Sequence, residues 1–420
     1  MPYLQRRTTM KKLRVGLIGL GGRGLGLCKS TVFTDFEGVE LVAICDNYQP
    51  WLDRAVECLA TEKDLHPKTF TDHHDVLNKD LIDAVLIVTS WETHIPIAIE
   101  ALELGIPVGM EICGCYDLQQ VWDLVHTWER TKTPFMFLEN CCYGQNELML
   151  LNMVRQGVFG EVSHCDGCYA HDLRREICKG VLTHHYRWGN YVNRNCENYP
   201  THELGPIAKM LNINRGNRFL TLTSTSSKSV GMHEYIKQKH PDHEVLMNAK
   251  FNQGDVVITT IKCAGGETIT LKLDTTLPRF YSRGLEVHGT KAYYNDVCKS
   301  FFFEGDEEVE EMWDWQPNWD NREKYREQYE HPIWKEYLAN GIKGGHGGMD
   351  GLVYGAFYDC VMNGYDMPIN VYDAAAWMAV TNLSEQSIAL GGAPMVFPDF
   401  TRGAWKEKNE DANPGPFHLD

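Results

Sequence analysis

Gly19, Gly21 and Gly24 stand in the spacing G-x-G-x-x-G, where missing side chains let the backbone turn tightly and approach a pyrophosphate. A helix that begins at such a turn offers its N-terminal N–H groups to the phosphate charge. Asp46, about 20 residues past Gly24, is placed to accept both ribose hydroxyls of an adenosine. Its carboxylate would repel a 2′-phosphate, so the cofactor expected here is NAD rather than NADP. A second group able to do chemistry lies in Asn198-Tyr199-Pro200-Thr201-His202-Glu203, where His202 falls in the first turn of an expected helix. The helix N-terminus favours a neutral imidazole able to accept a proton near neutral pH, although a histidine there can equally be a cap.

The elements that must position these residues follow from the apolar pattern. Leu13 to Ile18 reads as a strand, Val39 to Cys45 as the next, and Ala84 to Thr89, Pro107 to Met110 and Phe135 to Leu138 as three more. Helical spacing separates them over Trp51 to Ala60, His94 to Leu104 and Leu118 to Thr131. Alternating strands and helices predict a doubly wound parallel sheet of the Rossmann type, with ligands beyond the carboxyl ends of its strands. Trp91-Glu92-Thr93-His94, Glu111 and Glu139-Asn140 occupy those ends. From about Cys141 the pattern changes. A helix over Glu147 to Gln156 leads to strands at Val162 to Ala170, Phe219 to Thr225, Val256 to Lys262, Thr268 to Leu273 and Leu285 to His288, predicting an α+β part with a mostly antiparallel sheet. Helices are expected from Gly344 to Asn363 and from Ala374 to Leu390, possible cover for the first domain. The division is therefore a dinucleotide-binding domain over 1–140 and a substrate and oligomerisation domain over 141–420.

A chain of 420 residues favours two domains, and 43% hydrophobic with 23% charged residues is an ordinary globular balance. The net charge of −17 leaves no basic surplus for nucleic acid or an anionic membrane, which points to a small ligand. Fourteen cysteines spread over this length read as buried free thiols of a reducing cytoplasm. The clusters Cys113-Gly114-Cys115, Cys141-Cys142 and His164-Cys165-Asp166-Gly167-Cys168 lack a second ligand pair at zinc-finger spacing, so no metal is expected. Arg6-Arg7 is similar to an export signal, but no apolar segment follows; a short disordered start and a cytoplasmic protein are expected. The acidic run Glu304 to Glu311, with Trp313 and Trp315, reads as a solvated loop.

Several separate segments carry a resemblance: Leu138-Glu139-Asn140-Cys141-Cys142-Tyr143, Asn152-Met153-Val154-Arg155-Gln156-Gly157, Tyr199-Pro200-Thr201-His202, Asn212-Ile213-Asn214-Arg215-Gly216, Gly345-His346-Gly347-Gly348-Met349-Asp350 and Pro398-Asp399-Phe400. In this order they resemble glycoside hydrolase family 109, within the superfamily of glucose-fructose oxidoreductase, inositol dehydrogenase and MocA. The family's type activity is α-N-acetylgalactosaminidase. The resemblance implies that Gly22, Arg23, Asp46, Trp91, Thr93, His94, Glu111, Ile112, Asn140 and Tyr199 hold NAD. It further implies that Glu139, Tyr169, Arg187, Tyr199, His202 and Tyr281 line the sugar site. One departure is plain. The superfamily's dehydrogenases place Glu-Lys-Pro after this strand, whereas here the run is Glu111-Ile112-Cys113. The lysine that assists proton removal is absent, as in the hydrolase family, while Cys113-Gly114 replaces its proline and alanine.

By that similarity a terminal N-acetylgalactosaminide, α-linked, is expected to be hydrolysed through transient oxidation at C3 and elimination across C1–C2. His202 takes the O3 proton and Tyr169 the C2 proton, if Arg187 favours its phenolate. Two other readings stand beside it: a sugar or cyclitol dehydrogenase or epimerase, and a non-catalytic sugar-binding protein that keeps NAD. The expected partners are a small or glycan-terminal sugar and, through an open-faced sheet, a second copy of the chain.

Overall fold

The computed structural model describes residues 12–113, 115–305, 316–407 and 412–420. Arg6-Arg7 and the expected disordered start, Gly114, and the acidic run from residue 306 with Trp313 and Trp315 lie outside the described residues. Six parallel strands form the first sheet: β1 (Leu13–Ile18), β2 (Val39–Cys45), β3 (Lys68–Phe70), β4 (Ala84–Ile87), β5 (Val108–Met110) and β6 (Phe135–Phe137). Their order, β3-β2-β1-β4-β5-β6, puts the reversal of winding between β1 and β4, where the glycine turn leaves β1. The continuous apolar runs of β1 and β4 are explained by burial on both faces.

The second sheet contains β7 (Val162–Ala170), β8 (Phe219–Ser226), β9 (Val256–Cys263), β10 (Thr268–Asp274), β11 (Glu286–Gly289), β12 (Ala292–Asn295), β13 (Ser300–Phe303) and β14 (Met395–Val396). Their order is β13-β12-β11-β7-β10-β9-β8-β14, antiparallel throughout except for the β7–β10 pair. Residues alternate along β7. Cys165, Gly167 and Tyr169 face the helices, while His164 and Asp166 face away and are partly exposed. Gly167 permits a close approach: a Cβ there would lie 2.7 Å from the Glu203 Cβ of the Thr201–Met210 helix. The helix that carries His202 can therefore lie directly on the strand that carries Tyr169.

The Val371–Ala389 helix bridges the two sheets and is buried nearly all round. Its start is a capping box, in which the Asn370 side chain accepts the Asp373 N–H and Asp373 accepts the Asn370 N–H. Asp373 also pairs with Lys209 at 3.0 Å and Arg215 at 2.7 Å, anchoring this helix to the far end of the His202 helix. The Trp91–Glu103 helix starts three residues before its apolar periodicity does, which brings Trp91 to His94 into its first turn. Strands β12 to β14 and the helices Arg174–Leu182 and Arg187–Asn193 are additions to the sequence reading. All fourteen cysteines are free thiols, and all but Cys298 are buried. No helix among the described residues is long and apolar enough to cross a membrane.

Candidate active site

The glycine turn is shaped by contacts that leave no room for side chains. Gly19 has φ +99°, and a Cβ there would lie 2.5 Å from the Val88 carbonyl. At Gly24 a Cβ would lie 2.0 Å from the Gly19 oxygen, whereas at Gly22 it would meet nothing within 4 Å. The turn is closed underneath by Gly24 and open above Gly22, at the N-terminus of the Gly22–Lys29 helix, as a phosphate cradle requires. Asp46 is buried at the end of β2, and its oxygens accept the N–H of Leu20 at 2.6 Å and of Tyr48 at 2.8 Å. Burial raises its carboxyl above the usual range, opposed by these two hydrogen bonds and by nearby His184. Each oxygen keeps a lone pair for a ribose hydroxyl.

A continuous cleft of about 970 Å³ runs from Asp46 past Gly19, Gly21 and Gly22 to Ile112 and His202. Arg23, Thr93, His94, Glu111, Asn140 and Tyr199 also line it. At the Asp46 end, His184 stacks on Tyr48 with centroids 4.9 Å apart and meets Trp51 edge-on, so a loop beyond β7 closes over the nucleotide-binding crevice. The shape and donor set fit an extended dinucleotide, with a further free donor at Arg187. Its guanidinium is buried among the rings of Trp91, Tyr186 and Tyr199, 4.9 to 5.6 Å from their centroids, and Nε donates to Glu176 at 3.0 Å. Nη1 has no hydrogen-bond partner among the described residues. Trp91 thus stands behind the cleft wall as a platform for Arg187.

Arg23 and Glu111 have an additional role. Arg23 donates through Nε to Glu111 at 2.8 Å and bidentately to Asp350 at 2.9 and 3.0 Å. Tyr354 donates to Glu111 at 2.6 Å, Asn140 donates to Asp350 at 2.9 Å, and His346 lies 2.8 Å from Asp350. Burial alone would raise the Asp350 carboxyl, yet His346 and Arg23 outweigh it and hold it well below the usual range. This network ties the Met349–Asn363 helix to the glycine turn. His94 is locked: its Nε2 lies 3.0 Å from the Thr89 carbonyl, and burial pushes the imidazole down to about 4.

The end of β6, the Thr201–Met210 helix and β7 bring a group of titratable side chains together beyond Ile112. His202 Nδ1 lies 2.7 Å from Glu139 Oε1, which also accepts the Cys141 N–H at 3.0 Å. Glu139 is fully buried; burial alone would raise its carboxyl, but the His202 contact outweighs that and holds it low. The Tyr169 ring stacks on Tyr199 at 4.1 Å and meets His202 edge-on at 5.7 Å. Burial pushes its phenol well up, and Arg187 offsets this only in part, so the expected phenolate is not the resting form. The hydroxyl instead lies 3.2 Å from His171 Nδ1, whose imidazole is pushed down by burial and by Arg187. Tyr281, 47% exposed, stands edge-on to His171 at the mouth.

Of the expected sugar-site residues, Arg187, Tyr199 and His202 line this end of the cleft, while Glu139, Tyr169 and Tyr281 stand behind them, Glu139 on His202, Tyr169 on Tyr199 and Tyr281 edge-on to Tyr169. His171 and Asp350 are additions. The spacing of His171 two residues after Tyr169 was the available signal for the first, and Asp350 closes a glycine-rich segment already singled out.

This arrangement is a dinucleotide-binding Rossmann domain whose cleft ends against an open-faced second sheet. Residues 13–137 match the oxidoreductase family with an NAD-binding Rossmann fold. An inositol dehydrogenase homologue from Azotobacter vinelandii, solved with NADH and myo-inositol, has the same fold at 18% identity and a TM-score of 0.65, over 93% of this chain and 98% of that one. The residues beyond narrow the class. Residues 143–407 match the glycosyl hydrolase 109 C-terminal domain. A glycosyl hydrolase family 109 protein of Stenotrophomonas maltophilia is 41% identical over 95% of this chain and 91% of its own length. An alpha-N-acetylgalactosaminidase of Shewanella oneidensis is 40% identical over 94% and 87%. The chain belongs to glycosyl hydrolase family 109, a glycoside hydrolase built on an NAD-binding Rossmann domain.

Proposed function

We propose that this chain hydrolyses terminal α-linked N-acetylgalactosaminides by transient oxidation at C3, with residues 1–140 holding NAD and residues 141–420 holding the sugar. The observation that carries this reading is His202, paired with Glu139, at the end of one dinucleotide cleft, with the Tyr169–His171 pair packed directly behind it. The oxocarbenium route needs two carboxyl groups flanking the bond. Glu139 is buried and committed to His202, so it is not available as a flanking acid.

The Gly19–Gly24 turn and the following helix hold the pyrophosphate, Asp46 the ribose, and Ile112 and Asn140 border the nicotinamide end. NAD+ bound there supplies reversible oxidation of a sugar carbinol. His202 Nε2 takes the O3 proton, because Nδ1 is committed to Glu139, whose charge stabilises the imidazolium. The C3 carbonyl acidifies the hydrogen at C2. Tyr169 removes it as its own phenolic proton passes to neutral His171. The C1–O electron pair leaves with the aglycone oxygen, which takes the extra proton of the Tyr169–His171 pair as the C1–C2 double bond forms. Water adds its hydroxyl to C1 and a proton to C2, and His202 returns its proton to O3 as the carbinol is restored. Arg187 and Tyr281 position the sugar.

The test is incubation with an aryl α-N-acetylgalactosaminide in D2O, following aryl release, NADH absorbance and deuterium at C2 of the sugar. Release with C2 deuterium and no NADH accumulation is expected. Accumulation of NADH without release would make the chain a dehydrogenase, and sugar binding without either would make it a binding protein.

A further inference from the structure

On the open face of the second sheet, away from the cleft, three ligating side chains converge, with His164 beside them. His164 and Asp166 alternate on β7, Glu286 and His288 on β11, and the antiparallel register sets Glu286 opposite Asp166 and His288 opposite His164. Period-2 alternation within each strand and this register put all four on one face as a square. Asp166 Oδ2 lies 3.0 Å from His164 Nε2 and 3.3 Å from His288 Nε2, and His288 Nε2 lies 3.8 Å from Glu286 Oε2.

We propose that Asp166, Glu286 and His288 form a binding site for a borderline divalent transition-metal ion such as Zn2+, stapling β7 to β11, with His164 orienting Asp166 from outside. Three observations support it. Ligand atoms of Asp166, Glu286 and His288 all lie within 4.8 Å of one another. A tetrahedral ion with bonds of about 2.1 Å has ligand–ligand edges of about 3.4 Å, close to the 3.3 and 3.8 Å that separate His288 Nε2 from the two carboxylates. His288 Nε2 is shielded from solvent and has no hydrogen-bond partner among the described residues, although it faces two carboxylates. A cation between them would satisfy the nitrogen and both oxygens at once. Two carboxylates balance the charge of a divalent ion.

The supporting groups are also in place. Thr268 Oγ1 lies 2.7 Å from His164 Nδ1, and the Tyr293 hydroxyl donates to Glu286 Oε2 at 2.5 Å. Such partners fix the tautomer and orientation of metal ligands. An imidazole ligand favours Zn2+ or Co2+ over Mg2+ and Ca2+, which take oxygen ligands. Because β7 carries Tyr169 on its other face, the staple would stiffen the strand that presents the C2 base without touching it.

The full chain with its NAD, stripped of metal by a chelator, is titrated with Co2+ and then Zn2+, following visible absorption, bound equivalents and Tm. The expected result is a tetrahedral Co2+ spectrum displaced by Zn2+, one tightly held equivalent, and a rise in Tm. His288→Ala and His164→Ala should each weaken that equivalent at least about tenfold while leaving NAD content and glycosidase activity unchanged. His74→Ala, in the exposed Asp72-His73-His74 group, should leave it intact. Binding unchanged in His288→Ala, abolished by His74→Ala, or lost instead in His202→Ala would overturn the assignment.

Discussion

Glu139→Gln separates the electrostatic work of the His202 pair from its packing. The amide has nearly the shape of the carboxylate, so the side chain can stay in its buried place and its oxygen can still accept the Cys141 N–H. The same oxygen faces His202 Nδ1 at 2.7 Å and goes on accepting there, while the NH2 falls at the unpartnered Oε2 position, so what changes is the charge. The Nδ1–H tautomer is kept and Nε2 stays free for the O3 proton, but the negative charge that would stabilise the imidazolium is gone. Breaking a buried pair of this kind costs about 3–5 kcal/mol, which at about 1.36 kcal/mol per decade is a loss of roughly 10²- to 10⁴-fold in kcat. Ground-state binding of the sugar does not use the imidazolium, so KM should change by less than about threefold. The assay is steady-state aryl release with bound NAD measured on the same sample and Tm as the control for folding. A kcat within threefold of the parent, with NAD retained, would refute the assignment of His202 as the O3 base.

Tyr169→Phe and His171→Gln should each lower hydrolysis by about 10²- to 10⁴-fold and abolish deuterium entry at C2, yet leave sugar-dependent reduction of bound NAD visible in a single turnover. Loss of that reduction as well would show that the pair only shapes the pocket. Gly24→Ala drives a Cβ to within 2.0 Å of the Gly19 oxygen; a loss of about 1–3 kcal/mol and of NAD content is expected, measured by Tm and by cofactor released on denaturation. Acidification should release NAD before it unfolds the chain. Asp46 has a raised carboxyl and gives up its charge first, and protonation there removes a ribose acceptor while relieving burial of charge in the protein itself. Glu139 and Asp350 have depressed carboxyls, so their stabilisation is full above the unfolded value of about 4 and is lost only as pH falls toward their folded values. Unfolding by circular dichroism at a higher pH than NAD release would contradict this order.

What could be read from the sequence was local. The Gly19–Gly24 turn, Asp46 and the alternation of strands and helices involve neighbours in the chain, so spacing alone carries them. The start of the Trp91–Glu103 helix did not show, because its first turn mixes Trp91, Glu92, Thr93 and His94 and has no apolar stripe. Strands β12 to β14 have two to four residues each, too few for a period-2 signal. The cage around Arg187 draws rings from positions 91, 186 and 199, and Asp350 reaches Arg23 from the other end of the chain. Only packing creates those contacts. Tyr169 shows a different limit: its position followed from the family resemblance, but its burial, and hence its need for His171, depended on the stacked Tyr199 ring.

The substitution of Ile112 for the dehydrogenase lysine has a structural counterpart in where the protons are held. On the Rossmann side of the cleft, His94 is buried and locked to a backbone carbonyl, Arg23 and Glu111 are consumed in the tie to Asp350, and Ile112 cannot titrate. Each of these holds shape. The groups that can exchange a proton, His202 and the Tyr169–His171 pair, stand instead on the second sheet and its covering helix, separated by one stacked ring. A dehydrogenase needs one base, close to the carbinol it oxidises. An elimination needs two acceptors, at O3 and at C2, and they must hold different protons at the same time. Two separately wired acceptors on one rigid sheet meet that requirement, and a single lysine on the cofactor domain does not.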